Sequence, residues 1–415
     1  MENRRLWIGF EEWFCLRGLS GRNRKMNVEA NFVEMLLCPV CQLDMVRDFG
    51  QGIQVRLYAL MFKPEVIKSY CEKLLIKYGV PQTKAEVTAG VLVEADMRGV
   101  FSHGINSLDL IVINSIRQGG TNPNAQAEDK TRNPSFPIRH IDAHGDLGHP
   151  MAMDAADMAK DLARKHGYGK VYVADANHFG MGAIYTEKMC AEKDLAARVT
   201  STTPSLVKPY GGKRNRLGTN VFAWSIPYDR GFVTIDMATT IHAVSGALRA
   251  LIEGFTFPFP VFGPSGTKTT DPRVFDGFVD FLKRGSMIPL GGMGEEGADA
   301  GYKGTGLAML IELDNVIGAG DSGFIDPLID DKNRRIRQTF EAWRIDTLFE
   351  QGGALERISK TISDIKSQQG EDMLLPGEKE SIQREKAVKH GICYTDAQIA
   401  RLENLGQSVD LGQVS

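Results

Sequence analysis

Ser102-His103-Gly104 places an imidazole beside a hydroxyl that can orient it and before a glycine that lets a ligand approach. An unperturbed histidine titrates near ~6.5, so it can exchange a proton close to neutrality. Asn177-His178-Phe179-Gly180 offers a second imidazole, between a short strand at 171–174 and a helical run at 182–193. A turn that feeds a helix in this way aims backbone N–H groups at anionic ligands. Asp236 ends the apolar run Val233-Thr234-Ile235 and reads either as a helix cap or as a buried charge partner.

Two patterns suggest metal and two arguments oppose it. His140, His144 and His149 lie close together with Asp142 and Asp146. A rigid zinc site prefers histidines one helical turn apart, and Gly145, Gly148 and Pro150 break any helix there. Cys38-Pro39-Val40-Cys41 has no second pair to complete four ligands. No metal is expected. Gly292-Met293-Gly294-Glu295-Glu296-Gly297 matches the dinucleotide glycine pattern, but no buried strand precedes it and two carboxylates stand where a pyrophosphate would sit.

The elements around these residues follow from hydrophobic spacing. Pro64 opens a helix with Ile67, Tyr70, Leu74 and Leu75 on one face, and Gly79 closes it. Thr83-x-x-Glu86 reads as a capping box for the next helix, which delivers the chain to His103. Pro150 starts a helix that Gly167 ends, and strands are expected at 196–203, 220–227 and 232–237. Helical spacing returns at 304–317, and the last third reads as helices with charge runs at 331–337 and 378–389. Residues 1–56 show no sustained period and are treated as an N-terminal extension.

Composition limits the function. The 415 residues carry 49 Lys+Arg against 52 Asp+Glu, a formal net charge of −3, which argues against a nucleic-acid partner. Length alone allows two or three domains. The most apolar run, 306–317, carries Glu312 and Asp314, so no membrane span is expected. The first residues lack a signal-peptide core, and six cysteines are too few for a disulfide framework. A reducing, cytoplasmic setting is expected.

Taken in order, several segments resemble the malate/L-lactate dehydrogenase family of the second type, unrelated to the Rossmann-fold enzymes. They are Val93-Glu94-Ala95-Asp96-Met97-Arg98-Gly99, Ser102-His103-Gly104, Asn177-His178-Phe179-Gly180 and Pro209-Tyr210-Gly211-Gly212. Further along come Leu217-Gly218-Thr219-Asn220, Asp236-Met237-Ala238-Thr239-Thr240, Thr269-Thr270-Asp271-Pro272, Gly301-Tyr302-Lys303-Gly304 and Pro376-Gly377-Glu378. The family also holds ureidoglycolate, sulfolactate and diketogulonate oxidoreductases.

The resemblance implies an α/β fold: a non-Rossmann cofactor domain on a largely antiparallel sheet, inserted into a helical second domain. The boundaries it implies are 136–329 for the cofactor domain and 57–135 with 330–415 for the helical substrate and dimerisation domain. It implies hydride transfer between NAD or NADP and a small 2-hydroxy or 2-keto acid, in a homodimer with sites near the subunit interface. His103 becomes the proton carrier, oriented by Ser102, with His178 sharing the acid/base work and Asp236 as relay or charge partner. Cofactor contacts fall to Thr203, Asp236, Met237, Ala238, Lys303, Gly304, Pro376, Gly377 and Glu378.

Three departures from the family pattern motivate an alternative, a degenerate cofactor-binding protein of the same fold. Ser107 stands where many relatives carry an arginine that grips the substrate carboxylate. The stretch 241–262 carries Phe-Pro-Phe-Pro, and the loop after Gly320 is short.

Overall fold

The computed structural model describes residues 44–48, 52–56 and 60–414, apart from 254–255, 258, 294–299, 320–335, 348–352 and 368–372. The chain divides into two compact units, Met1–Tyr58 and Ala59–Ser415. In the first, the described residues form one antiparallel hairpin, β1 (Asp44–Asp48) with β2 (Gly52–Arg56). The Cys38/Cys41 pair lies outside the described residues.

The second unit opens with β3 (Leu60–Phe62), α1 (Pro64–Lys77) and α2 (Gln82–Met97). A helical stretch follows, Ile105–Ser107, the π-helical Leu108–Ile113 and Asn114–Arg117, together α3. Next come β4 (Glu128–Asp129), β5 (Ile138–Asp142), α4 (Gly148–His166), β6 (Tyr168–Ala176) and α5 (Gly182–Met189). Then β7 (Leu195–Ser201), β8 (Val221–Tyr228), β9 (Gly231–Met237), α6 (Val244–Glu253), β10 (Val261–Phe262) and β11 (Lys268–Thr269). The unit ends with α7 (Gly277–Arg284), α8 (Gly301–Ala319), β12 (Ile336–Arg344), α9 (Gly353–Ser367), α10 (Glu378–His390), β13 (Ile392–Tyr394) and α11 (Asp396–Gln407).

The architecture is α/β around a mixed seven-stranded sheet in the order β4-β5-β6-β12-β7-β8-β9. Only β5 and β6 run parallel; the other neighbours are antiparallel. The alternation of strand side chains sends Val171, Val173, Val199, Ala223, Phe340 and Ala342 to one face, where Ala152, Ala155, Ala159 and Leu162 of α4 and Tyr185 of α5 complete the core. Helix α8 lies on the opposite face, where Gly318 meets the Tyr172 ring so closely that a Cβ would fall 1.8 Å from it.

A second core joins the two ends of the unit. Ile67, Leu74 and Leu92 from α1 and α2 pack with Ala387, Ile392, Tyr394, Ile399 and Leu402 from the C-terminal elements. Strand β13 pairs with β3, Ile392 opposite Phe62 and Tyr394 opposite Leu60. The apolar stripe expected on α1 is the one buried, and Gly79 follows it at φ 82.

Two local expectations fail. Helix α2 begins at Gln82 with Pro81 at its N-cap, so Thr83 already lies inside the first turn and no side-chain cap forms. The expectation of helices through the last third fails at β12, which occupies the middle of the sheet between β6 and β7. Its Arg337 and Glu341 resemble a solvated helix, but they are buried and paired, Arg337 with Glu312 of α8. Glu341, 3% exposed, bonds Lys170 at 2.8 Å and also Arg198, while Lys170 reaches Asp314 of α8 at 2.8 Å. Phe340 alternates with these charges into the opposite core at 0% exposure. Truncating it by Phe340→Ala should therefore lower unfolding free energy by about 3–5 kcal/mol, read as a fall in the thermal midpoint; a change within about 1 kcal/mol would show that β12 is not a core strand.

Candidate active site

The chain reaches the first imidazole through a turn that is bonded on both sides. Helix α2 stops at Met97, Gly99 takes φ 77, and the His103 amide donates to Val100 O at 2.9 Å. Ser102 Oγ lies 2.8 Å from His103 Nδ1, the contact the sequence pattern suggests. Past Gly104, the Ile105 amide donates to Asp96 Oδ2 at 3.0 Å. Ser107 is buried and its hydroxyl donates to Gly104 O at 2.7 Å, so it braces this same turn.

His178 arrives at the end of β6, and its turn is held by the residue before it. Asn177 Nδ2 donates to Gly145 O and Asp146 O, both at 2.9 Å, while Gln338 Nε2 of β12 donates to Asn177 O at 2.7 Å. Gly180 takes φ 81 as the chain enters α5. The His103 and His178 rings stack with centroids 5.6 Å apart and planes 19° apart.

A third imidazole was not expected here. His149, in the first turn of α4, stands edge-on to His178 at 6.3 Å and is completely buried. The sequence groups it with His140 and His144, but the structure separates them. His140 lies in β5, and His144 pairs with Glu128 and Asp142 in the following turn. Among the described residues no group of three His, Cys, Asp or Glu could hold a metal ion. The usable signal is Gly148: a Cβ there would fall 2.1 Å from Asn177 O, so glycine lets the start of α4 press against the His178 turn.

The three rings share one electrostatic state. Burial pushes His103 down to about 4. Burial, with His103 beside it, takes His149 down to about 3, and burial with both neighbours puts His178 well below the usual range. At neutral pH all are therefore uncharged. His178 Nδ1 and both ring nitrogens of His149 are buried without a hydrogen-bond partner.

Asp236, read as a helix cap, a relay or a charge partner, is placed at a helix start. Its Oδ2 accepts from Ala183 N at 2.8 Å, so it caps α5 from the end of β9, and burial raises it to about 6. Among the described residues no hydrogen bond joins it to His103 or His178. The structural links run through Arg98, which reaches Glu94 at 2.8 Å on its own helix and Glu187 of α5 at 2.6 Å.

The residues suggested for cofactor contact fall in connected places. Thr203 Oγ1 accepts from Thr219 N at 2.7 Å, and its amide donates to Asn220 Oδ1 at 3.2 Å. Asn220 Nδ2 in turn reaches Glu312 of α8 at 3.0 Å. Met237 and Ala238, both half-buried, follow Asp236. Lys303 is exposed in the first turn of α8, where an ammonium and a helix N-terminus together suit a phosphate. Gly304 serves packing, since a Cβ would fall 2.4 Å from Leu290 N. The turn at Pro376, Gly377 and Glu378 docks on β9 through Thr234 N to Pro376 O at 2.9 Å, and Glu378 is engaged by Lys366 at 2.6 Å. Most of the 292–297 glycine run lies outside the described residues.

A largely antiparallel mixed sheet, with three imidazoles gathered where α2, α4 and β6 end or begin, defines the class. This is an α/β protein built on a mixed seven-stranded sheet that is not a Rossmann sheet. The family described as malate/L-lactate dehydrogenase matches residues 62–403, and the chain belongs to that family. It is 26% identical over 356 residues to the L-sulfolactate dehydrogenase of Methanothermobacter thermautotrophicus, covering 85% of this chain and 98% of that protein. It is 32% identical over 238 residues to the (2R)-3-sulfolactate dehydrogenase (NADP(+)) of Chromohalobacter salexigens, covering 57% of this chain and 65% of that one. The solved malate dehydrogenase from Pyrococcus horikoshii OT3 superposes with a TM-score of 0.74 at 25% identity, over 88% of this chain and 100% of that one. Among the described residues no helix is long and apolar enough to cross a membrane.

The depressed imidazoles carry a direct test. A group that refuses a proton only when folded makes the unfolded state bind more protons, so each ring lowers stability as pH falls from about 6.5 toward its folded value. Histidine Cε1–H resonances of His103, His149 and His178 should keep their neutral positions down to about pH 5. Protonation of any of the three near about 6.5 would show a wetter or charge-paired site.

Proposed function

We propose that the chain is an NAD(P)-dependent oxidoreductase that moves a hydride between the nicotinamide and a small 2-hydroxy or 2-keto acid. The observation that carries this is the placement of His103, its Nδ1 against Ser102 Oγ and its ring stacked on His178. Family membership and the activities of the relatives, which include malate and sulfolactate dehydrogenases, support it.

When bound, the nicotinamide accepts or supplies the hydride. His103 does the matching proton work. With Ser102 on Nδ1, its Nε2 takes the hydroxyl proton during oxidation and returns one during reduction. His178 backs the His103 ring and shares this end of the site, while Asp236 fixes the start of the helix that follows His178. Thr203, Met237, Ala238, Lys303, Gly304 and the Pro376-Gly377-Glu378 turn border the cofactor, with the Lys303 ammonium toward a phosphate. In this reading the sheet half, 136–329 completed by β12, holds the cofactor, and 57–135 with the rest of 330–415 forms the helical half.

The reading extends to a homodimer. Helix α8 exposes Met309 at 47%, Leu310 at 67%, Leu313 at 56% and Ile317 at 76%, a stripe at helical spacing on the side away from the sheet. A second copy covering it would complete the burial. Sedimentation equilibrium should give a dimer that Leu313→Asp weakens at least tenfold, on the order of 1.4 kcal/mol; a monomeric wild type would remove the dimer from this reading.

A second reading keeps the fold and the cofactor without turnover. It is favoured by Ser107, whose hydroxyl is engaged by Gly104 O where many relatives present an arginine. NADH and NADPH oxidation, run separately with oxaloacetate, pyruvate and 3-sulfopyruvate, separates the two. Acid-dependent oxidation supports the dehydrogenase, whereas cofactor binding by fluorescence with no turnover on any acid supports the second reading. In an active enzyme His103→Gln should reduce kcat about 10²–10⁴-fold with cofactor affinity unchanged, and near-normal turnover would remove His103 from the proton step.

A further inference from the structure

We infer that Asp96 is the positioning residue of the His103 turn, and that Tyr394 from the C-terminal strand β13 holds it there. The inference rests on the proposed role of His103. Neither residue touches the reacting atoms in this arrangement; they act by fixing where His103 stands.

Asp96 sits in the last turn of α2 at 2% exposure. Its Oδ2 accepts from Ile105 N at 3.0 Å and from the Tyr394 hydroxyl at 2.9 Å. The His103 amide is bonded to Val100 O at 2.9 Å, so His103 is bracketed by one bond at its own amide and one two residues later. Gly104 lies directly on the carboxylate, for a Cβ would fall 1.7 Å from Asp96 Oδ1. No other residue type fits there without moving the turn. Tyr394, completely buried, also sets its ring edge-on to Phe101 at 6.1 Å, so one side chain grips both the carboxylate and the approach to His103.

A carboxylate is a costly way to fill a core position. Asp96 Oδ1 is buried without a hydrogen-bond partner, and leaving such an oxygen dry is unfavourable. An apolar side chain would fill the space but leave Ile105 N–H and the Tyr394 hydroxyl unpaired. The geometry therefore points to a residue whose acceptor oxygen is needed for placement. It also gives β13 a function: residues about three hundred positions downstream complete the turn that carries the imidazole.

The test uses the full chain with Asp96→Leu, Asp96→Asn, Tyr394→Phe and His103→Gln. His103→Gln identifies the His103 Cε1–H resonance by its disappearance, which gives a readout independent of turnover. Asp96→Leu should displace that resonance and reduce kcat about ten- to hundredfold, with the Kd for NADH or NADPH unchanged. Tyr394→Phe, which keeps the ring and removes only the hydroxyl, should do the same to a lesser degree, about three- to tenfold in kcat. Asp96→Asn, which keeps an acceptor oxygen, should restore the resonance and bring kcat to within about threefold of wild type.

An unmoved His103 resonance in folded Asp96→Leu, or in Tyr394→Phe, overturns the inference. If Asp96→Leu does not fold, Tyr394→Phe decides alone. Normal turnover in His103→Gln sinks the proton-carrier reading instead, and the resonance still judges whether Asp96 places the ring.

Discussion

The site depends on keeping α2 fixed against the sheet half, because its imidazoles come from opposite sides of that contact. His103 follows α2, whereas His178 and His149 belong to the turn before α5 and the start of α4. Arg98 holds the C-terminal end of α2, taking Glu94 on the same helix and Glu187 on α5, with Arg384 of α10 on the same Glu94. Lys84 holds the other end through Asp146 at 2.7 Å, just ahead of α4. Pairs this sheltered add little net stability, but removing one partner strands a charge, so they penalise any displacement of α2.

The same restraint explains why the site is neutral. Asp96 and Asp236 are both engaged by backbone N–H groups, Asp96 by Ile105 and Asp236 by Ala183. Each anchors a turn that carries or follows an imidazole, and neither bonds an imidazole. Burial therefore acts on the rings without an opposing carboxylate, and it drives all three downward. A carboxylate bonded to His103 would have produced the opposite state, a charged ring at neutral pH.

What could be read from the residues alone follows the strength of local pattern. Helices α1 and α4 and strands β7, β8 and β9 repeat their apolar positions at the period of the element, and each lies within a few residues of its expected place. Ser102 and His103 are adjacent in sequence, so their contact needed no knowledge of the fold. Strand β12 is illegible because its Arg337 and Glu341 look solvated, and only tertiary pairing, Arg337 with Glu312 of α8 and Glu341 with Lys170 and Arg198, makes them core residues. His149 was hidden for a related reason: its neighbours in sequence are His140 and His144, but its neighbour in space is His178. Asp236 takes the helix-cap role its position allows, but sequence gives only the end of β9 and not that α5 is the helix that begins against it.

Neutral imidazoles set a condition on the proposed reaction. Reduction of a keto acid consumes a proton, and a His103 held at about 4 carries almost none at neutral pH. The missing stabilisation can come from the substrate itself, because a carboxylate beside the ring favours its protonated form. In the proposed reaction, entry of the acid would favour protonation of His103 and supply the proton that the step consumes. Oxidation has the complementary requirement: the ring must be free of a proton on arrival, and burial already keeps it so. With Ser107 bonded to Gly104 O, the serine hydroxyl stabilises the turn and brings no positive charge to the substrate carboxylate. An arginine at that place would screen the substrate's charge from His103, so in the proposed reaction a serine there would leave the coupling between acid binding and proton uptake stronger even as it gives no grip on the acid.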